Sequence, residues 1–218
     1  MLYLDLAVKT FVYVDGFNLY FSVLQAEVTV RTPRLRWPDL RGLLRSYGSV
    51  FGQGAALEEI HFFTAIPSFR QRRDPVAVHG HEAYLQALEA SDVHLHVAAF
   101  KRKSSTCPHC GKRIERHEEK ETDVALGVTA MELLHLGACD TLVFVSGDTD
   151  FAPALRTAKR LFPATRLCVA FPHACFNAEL QQLADFSFRI RGARYVQHQL
   201  SDPVELADGR RLRRPPGW

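Results

Sequence analysis

The chain has 218 residues, of which 47% are hydrophobic and 23% charged, and these proportions exclude a disordered chain and fit one folded domain. Its formal net charge is only +3, so binding to a nucleic acid would require locally clustered basic residues. The N-terminus (MLYLDLAVKTF) lacks the basic start of a signal peptide, and no apolar run approaches the roughly 18 residues of a membrane span. We therefore expect a cytoplasmic protein, without membrane contact, whose five cysteines are thiols or metal ligands.

Short apolar runs alternate with helical patterns, which predicts parallel strands joined by helices. The predicted strands, in chain order, are residues 11–14, 60–64, 93–98, 141–145, 167–170 and 186–190. Helices are predicted from about Asn18, from Pro38, over residues 83–88, from Thr122 as N-cap, after Asp150 with Pro153 in the first turn, and over residues 179–183. The pattern predicts an α/β fold with a mainly parallel sheet.

Two segments differ in amino-acid composition from the rest of the chain. Residues 101–120 contain seven Lys or Arg and three Glu around the motif CPHCG, and they predict a small inserted hairpin that contains cysteines. Residues 201–218 form a basic C-terminal tail that we expect to be mobile.

Four aspartates occupy positions where a parallel sheet forms ligand sites. Asp15 ends the first strand, Asp148 and Asp150 follow the fourth strand, and Asp123 opens a helix. Such sites lie outside the carboxyl ends of strands, where the strand order reverses. Two carboxylates about 4 Å apart repel each other by roughly 4 kcal/mol at an effective dielectric constant of 20, so a cluster requires a cation or bound protons. The alternative for each residue is an ordinary helix cap or Asx-turn.

Three sequence blocks resemble the NYN domain, a branch of the PIN-like nuclease superfamily. The blocks are VYVDGFNLYFSVL, KETDVALGVTAMELL and LVFVSGDTDFAPALRTAK, and the resemblance extends over about Lys9–Ile190 within a domain predicted at residues 9–200. It implies a Rossmann-like three-layer sandwich and a Mg²⁺- or Mn²⁺-dependent site that hydrolyses RNA to leave a 5′-phosphate.

The resemblance also implies the site residues. Asp15, Asn18, Asp123, Asp148 and Asp150 match the family positions, and none of the expected acidic residues is missing. We expect Asp15 and Asp148 to bind the principal cation. Asp123 would complete its shell or hold a water, Asp150 would bind a second cation or orient the nucleophile, and Asn18 would fix a water or a phosphate oxygen.

Two functions from different classes stay open at this stage. The first is a metal-dependent ribonuclease, and the second is a non-catalytic RNA-binding regulatory module whose metal site is structural or vestigial. A nuclease that acts on structured DNA would have the same acidic residues. The sequence leaves the oligomeric state open, and a homodimer is compatible with it.

The CPHCG motif predicts a zinc knuckle, with an unliganded loop and a redox site as alternatives. Cys107 and Cys110 would bind Zn²⁺ with His117 as the third ligand, and the fourth would be His109, His94 or His96. A bound zinc would fix a basic hairpin beside the acidic cleft.

Several basic residues could contact the phosphates of a substrate, and an ordinary solvated surface is the alternative for each. Candidate substrate-binding residues are Arg156, Lys159 and Arg160, which share a helical face, together with Lys101 and Lys103 on the inserted hairpin. Trp37, among three arginines, is the best candidate for stacking on a base, whereas we expect Tyr20 and Phe21 in the core.

Overall fold

A seven-stranded sheet forms the centre of the protein in the computed structural model, which describes residues 7–218. Asp5 and the other residues of the N-terminal prediction before residue 7 lie outside this range. The strands of the sheet are β1 (Val8–Asp15), β2 (Ala55–Ile66), β3 (His94–Thr106), β4 (Arg113–Lys120), β5 (Thr141–Val145), β6 (Arg166–Phe171) and β7 (Phe186–Arg189). Their order is β4-β3-β2-β1-β5-β6-β7, and only the β3–β4 pair is antiparallel.

Helices cover both faces of the sheet. They are α1 (Gly16–Thr29), α2 (Leu40–Arg45), α3 (Gly48–Phe51), α4 (Pro75–Glu89), α5 (Thr122–His135), α6 (Ala152–Leu161), α7 (Ala178–Leu183) and α8 (Gly192–Gln197). Val12 and Val14 of β1 pack into a core with α1, α2, α4 and α8, whereas Phe11 and Tyr13 pack into a second core with α5, α6 and α7. Alternate side chains of one strand thus enter opposite layers, as a doubly covered sheet requires. The predicted three-layer α/β sandwich is confirmed.

The strand order reverses at β1. The chain runs from β1 to β2 and β3 on one side, and β5, β6 and β7 lie on the other side. The carboxyl ends of β1 and β5 are therefore neighbours at the switch point, where open α/β sheets bind ligands. This topology brings residues near 15 and near 148 to one edge of the sheet.

Two helix starts differ from the prediction. The second helix begins at Leu40 with Asp39 as its cap, because Asp39 Oδ1 accepts the N–H of Gly42 at 2.9 Å, and Pro38 lies before it. Thr122 is the first residue of α5 and not its cap, since Glu121 precedes it with a φ of 84°.

The inserted segment is an antiparallel hairpin. In it, β3 continues beyond the end of β2 and pairs with β4. Gly111, with a φ of 68°, allows the tight turn at its tip, where the N–H of Gly111 donates to the carbonyl of Cys107. Thr106 pairs with Arg113 next to this turn, and Arg102 pairs with His117 further along.

The C-terminal tail is folded, which corrects the expectation of a mobile segment. Its short strands β8 (Val204–Glu205) and β9 (Arg211–Leu212) pair with each other. Trp218 is buried against Tyr20, His81 and Tyr84, and it lies so close to Gly80 that a Cβ there would be 1.9 Å from the indole nitrogen. The tail is ordered because its terminal aromatic ring completes the core beside α1 and α4.

Over residues 7–218, none of the helices combines the length and the apolar character that crossing a membrane would require.

Candidate active site

Asp15 is held rigidly between the end of β1 and the start of α1. It is 6% exposed, and its Oδ1 accepts the N–H of Asn18 at 3.0 Å, which caps the helix. Gly16 follows because a Cβ there would lie 2.7 Å from the carbonyl oxygen of Phe63. The close packing of α1 against β2 thus fixes the position of the Asp15 carboxylate.

The loop after β5 is tied directly to this carboxylate. Ser146 Oγ donates to Asp15 Oδ2 at 3.0 Å and accepts the N–H of Asp148 at 3.0 Å. The N–H of Gly147 donates to Asn18 Oδ1 at 3.0 Å, so the predicted role of Asn18 toward a water or a phosphate is limited by its bond to the loop. These bonds join the two switch-point loops into one unit.

A cleft of about 260 Å³ opens above these loops. Asp15, Asp123, Asp148 and Glu119 line it with acidic side chains. Glu119, at the end of β4, accepts from the N–H and the hydroxyl of Thr122, which directs it beside Asp123. The sequence analysis missed Glu119 because its place at the cleft depends on the pairing of β4 with β3.

Asp150 differs from the other predicted aspartates. It is exposed, it does not line the cleft, and its N–H donates to Asp148 Oδ1 at 3.0 Å. Asp148 therefore caps the short turn over residues 149–151, and its Oδ2 accepts no hydrogen bond within the described part of the chain.

The cleft is strongly electronegative. Among residues 7–218, no Lys, Arg or His side chain forms an ion pair with any of the five acidic groups Asp15, Glu119, Asp123, Asp148 and Asp150. The pKa of Asp15 is raised to about 6, mainly by burial and to a lesser extent by the charges of Asp123 and Asp148, against the lowering effect of its hydrogen bonds from Asn18 and Ser146. Burial also raises the pKa of Asp123, with added repulsion from Glu119, Asp148 and Asp150.

The donor set fits a hard divalent cation, which binds carboxylate and water oxygens. Within residues 7–218, no three His, Cys, Asp or Glu side chains lie close enough together to bind one ion. Mg²⁺ keeps several water ligands and takes one or two carboxylates from the protein. A cation held by Asp15 and Asp148 with waters is compatible with these positions, whereas direct binding by all four aspartates stays a prediction.

The strand–turn–helix units that carry Asp15 and Asp148, together with the helix that carries Asp123, match a known domain. The family model of the NYN domain matches residues 9–190. The chain belongs to the NYN domain family, within the PIN-like nuclease superfamily.

A solved structure shares the fold of the chain. A crystal structure of a protein of unknown function from Vibrio parahaemolyticus RIMD 2210633 has a TM-score of 0.55 and 18% sequence identity to the chain. The similarity covers 87% of this chain and 96% of the other. No curated protein matches the chain significantly.

Most of the predicted substrate-binding cations of this NYN domain are paired with acids. Lys101 pairs with Glu121, and Lys103 pairs with Glu118 at 3.4 Å. On α6, Arg156 pairs with Glu179 at 3.1 Å and Lys159 pairs with Asp185 at 3.0 Å. Arg160 is exposed and has no ion pair within the described residues.

A second set of arginines, missed by the sequence analysis, borders the edge of the sheet that holds the cleft. Arg189, Arg191 and Arg194 line a cleft of about 710 Å³ beside the loop over residues 172–176, whose Cys175 lines the acidic cleft. The Arg189 guanidinium lies 4.0 Å from the ring centre of Phe176. Within residues 7–218, none of the three arginines has an acidic partner.

The structure separates the predicted zinc ligands. His117 pairs with Arg102, four residues along the hairpin from the Thr106–Arg113 pair, or about 13 Å at 3.3 Å per residue. Its ring instead stacks on Phe69 at 4.2 Å. The prediction of His117 as a ligand beside Cys107 and Cys110 is therefore wrong for this arrangement.

His109 lies in the turn between the two cysteines, but the other two alternative zinc ligands are far from it. His94 and His96 lie at the opposite end of β3 from the turn, where both stack on His61. His61 also bonds to Glu59 at 2.9 Å. Backbone N–H groups of Cys110 and His109 lower the pKa of the Cys107 thiol.

The predicted burial of Trp37 and Phe21 is the reverse of the burial in the structure. Trp37 is fully buried, with its indole N–H donating to the carbonyl of Ser201, so it is not a surface stacking residue. Phe21, expected in the core, is 59% exposed and lines the acidic cleft. Tyr20 is half-buried and contacts Trp218.

Proposed function

We propose that this NYN protein is a metal-dependent ribonuclease that hydrolyses RNA phosphodiester bonds at the acidic cleft. The main support is the observation that Asp15, Asp123 and Asp148 line one cleft and that, within residues 7–218, no basic side chain is paired with them. Such a concentration of negative charge is unfavourable unless a cation or bound protons compensate it. Bound protons alone would give the cleft no group that activates water at neutral pH, whereas a bound cation would supply that function.

Asp15 and Asp148 would hold the cation, and Asp123 and Glu119 would accept hydrogen bonds from its waters. A bound Mg²⁺ or Mn²⁺ would supply an activated water and stabilise the leaving oxygen. Ser146 keeps the Asp15 carboxylate oriented, and Asn18 holds the Asp148 loop through the N–H of Gly147. The water oxygen would bond to phosphorus while the bond to the 3′-oxygen breaks, so that one product carries a 5′-phosphate and the other a 3′-hydroxyl, as the resemblance to the family implies.

The substrate strand would lie along the carboxyl edge of the sheet. The arginine cleft of Arg189, Arg191 and Arg194 can bind its phosphates, because these cations have no acidic partner in the described residues. Arginine contacts of this kind position the backbone without reading the base sequence.

A second function is favoured by one specific observation. Because no three potential ligands converge on one point among residues 7–218, the cleft could hold its cation too loosely for catalysis. The protein would then be an RNA-binding regulatory module with a structural or vestigial metal site.

The test incubates purified protein with labelled single-stranded RNA, hairpin RNA and the matching DNAs. A ribonuclease loses cleavage with EDTA and regains it with Mn²⁺, and its products carry a 5′-phosphate. A binding module retains RNA and forms no products under any of these conditions, and that result would contradict the proposal.

The variant Asp148→Asn removes one proposed ligand, and we expect it to abolish cleavage. Asp208→Asn makes the same chemical change in an exposed turn, where the carboxylate pairs only with Arg210, and it should cleave like the unmodified protein. Normal cleavage by Asp148→Asn would remove this residue from the chemistry.

A further inference from the structure

An apolar groove lies directly beside the acidic cleft. It has a volume of about 370 Å³, and the aromatic rings of Phe17, Phe21, Phe69, Phe100, His117 and Trp218 supply much of its lining. This volume is within the range of small-ligand sites. None of the roles assigned above uses the groove.

The rings in the groove pack against one another, and two of them stay partly exposed. Phe69 and His117 stack with ring centres 4.2 Å apart and planes within 2°. Phe100 contacts Phe69 edge-on at 5.0 Å and Phe17 at 5.9 Å. Phe69 and Phe21 stay 37% and 59% exposed, so planar rings face solvent in a position fixed by their neighbours.

The groove and the acidic cleft are continuous. Phe17, Phe21 and Glu119 line both of them. A molecule with a phosphate at the cleft therefore places its next chemical group against these rings. In a nucleic acid strand, the nucleoside attached to that phosphate carries a base, which can reach the rings through its ribose.

One arginine lines the groove, and two more follow it closely in the sequence. Arg70 lines it, with a guanidinium 5.9 Å from the ring centre of Phe69, and Arg72 and Arg73 follow in the exposed turn before α4. None of the three has an acidic partner in the part of the chain that the structure describes. The surface thus combines aromatic faces with unpaired arginines, which is the combination that binds single strands by base stacking and phosphate contact. An apolar peptide would use the rings and leave the arginines unused.

We propose that this groove is a nucleobase subsite, in which an unpaired base of the substrate stacks on Phe69 next to the phosphate at the acidic cleft. Arg70, Arg72 and Arg73 bind the neighbouring phosphates. This inference rests on the proposed function and deepens it, because a base can reach the rings only when it is unpaired. The site therefore selects single strands or loops over duplex RNA.

The experiment measures binding in the Asp148→Asn background, so that it does not depend on cleavage. A fluorescent single-stranded 12-nucleotide RNA is titrated, and a series of RNAs lacking one base at each position is compared with it. We expect one abasic position to weaken binding about tenfold, which is the contribution of one stacked base. Phe69→Ala should weaken binding of the intact RNA by a similar factor, and Phe69→Trp should restore it.

The decisive result is the combination of the two changes. If the base stacks on Phe69, the abasic RNA and Phe69→Ala together weaken binding no more than either change alone. Leu161→Ala, which shortens an exposed side chain on α6, serves as the control and should bind like its parent. Full additivity of the two changes, or unchanged binding by Phe69→Ala, would overturn the proposal.

Two further outcomes separate this proposal from the catalytic one. Lack of cleavage by the unmodified protein, together with the expected abasic effect, would remove the ribonuclease and keep the subsite. Lack of any RNA binding would overturn the subsite. The remaining interpretation of this surface would then be a binding site for a protein partner.

Discussion

The acidic cleft and the β3–β4 hairpin were both predicted to bind metal and RNA, but the two regions differ in how the fold arranges their charged and metal-binding side chains. The cleft is assembled from distant parts of the chain, since Ser146, which also accepts the N–H of Asp148, donates to Asp15 across 131 positions of sequence. The hairpin holds its cysteines within one turn, but His117 lies elsewhere, and Lys101 and Lys103 are paired with glutamates. A functional site depends on which charged groups the fold brings together without a partner of opposite charge. The local sequence shows only which residue types are present.

The largest expected difference between the two regions is in catalysis. Asp148→Asn should lower Mn²⁺-dependent RNA cleavage at least about 100-fold, because a metal ion contributes several kcal/mol to stabilising the transition state. Cys107→Ser should cleave within about twofold of the unmodified protein, since the hairpin turn does not line the cleft. Initial rates on one labelled RNA measure both. Equal losses in the two variants would show that the hairpin is part of the active site.

The second difference is in the pH dependence of stability without metal. The pKa of Asp15 is raised to about 6 in the folded protein, so the folded state binds more protons than the unfolded state between about pH 4 and 6. The free energy of unfolding of the unmodified protein, relative to Asp15→Asn, should therefore fall as the pH rises through this range and level off above it. The total is on the order of 3 kcal/mol, from two pKa units at 1.36 kcal/mol each.

Urea denaturation in EDTA at pH 4, 5, 6 and 7 measures this difference. The comparison with Asp15→Asn is needed because burial lowers the pKa of His81 to about 4, which makes stability rise with pH over a similar range. The hairpin variant Cys107→Ser should follow the pH profile of the unmodified protein. Parallel profiles for the unmodified protein and Asp15→Asn would contradict the burial of a charged Asp15.

The third difference is in RNA affinity. The pair Arg189→Ala and Arg191→Ala should weaken binding about tenfold at moderate salt and reduce the salt dependence, because both arginines are free to contact phosphates. The matched pair Lys101→Ala and Lys103→Ala should change affinity less than about twofold, because these lysines already contact Glu121 and Glu118. Fluorescence anisotropy at several salt concentrations compares them. The reverse order of effects would place the substrate phosphates on the hairpin lysines and not in the arginine cleft.

The smallest expected effect is that of Cys107→Ser on the zinc content of the purified protein. The described residues supply two thiolates at the hairpin turn, whereas a structural zinc site requires four ligands. Purified protein should therefore retain well below one zinc per chain, and Cys107→Ser should not change this content. Metal analysis that finds one zinc per chain, lost in Cys107→Ser, would show that further ligands reach the turn.

Much of the fold could be predicted because apolar runs mark buried strands. Residues 141–145 are a continuous apolar run and form β5 as predicted, and the turns after β1 and β5 carry the acidic residues expected at a switch point. The convergence of Asp15, Asp123 and Asp148 at one cleft followed from this topology together with the family resemblance.

The rest depended on contacts that no local pattern contains. Trp37 lies among arginines in sequence, yet it is buried because the C-terminal segment covers it through Ser201. The tail resembles a soluble extension, yet Trp218 fits against Gly80 of α4. The charge of Lys103 is offset by Glu118 across the hairpin, and this pairing follows from a strand register that the sequence does not display.

Binding of Mn²⁺ to the metal-free protein tests the central claim most directly. Electron paramagnetic resonance follows the loss of the free Mn²⁺ signal as the ion is titrated into the unmodified protein, Asp148→Asn and the control Asp208→Asn. We predict saturable uptake by the unmodified protein and by Asp208→Asn, and at least tenfold weaker uptake by Asp148→Asn. Equal uptake by all three proteins would contradict a cation site at the acidic cleft.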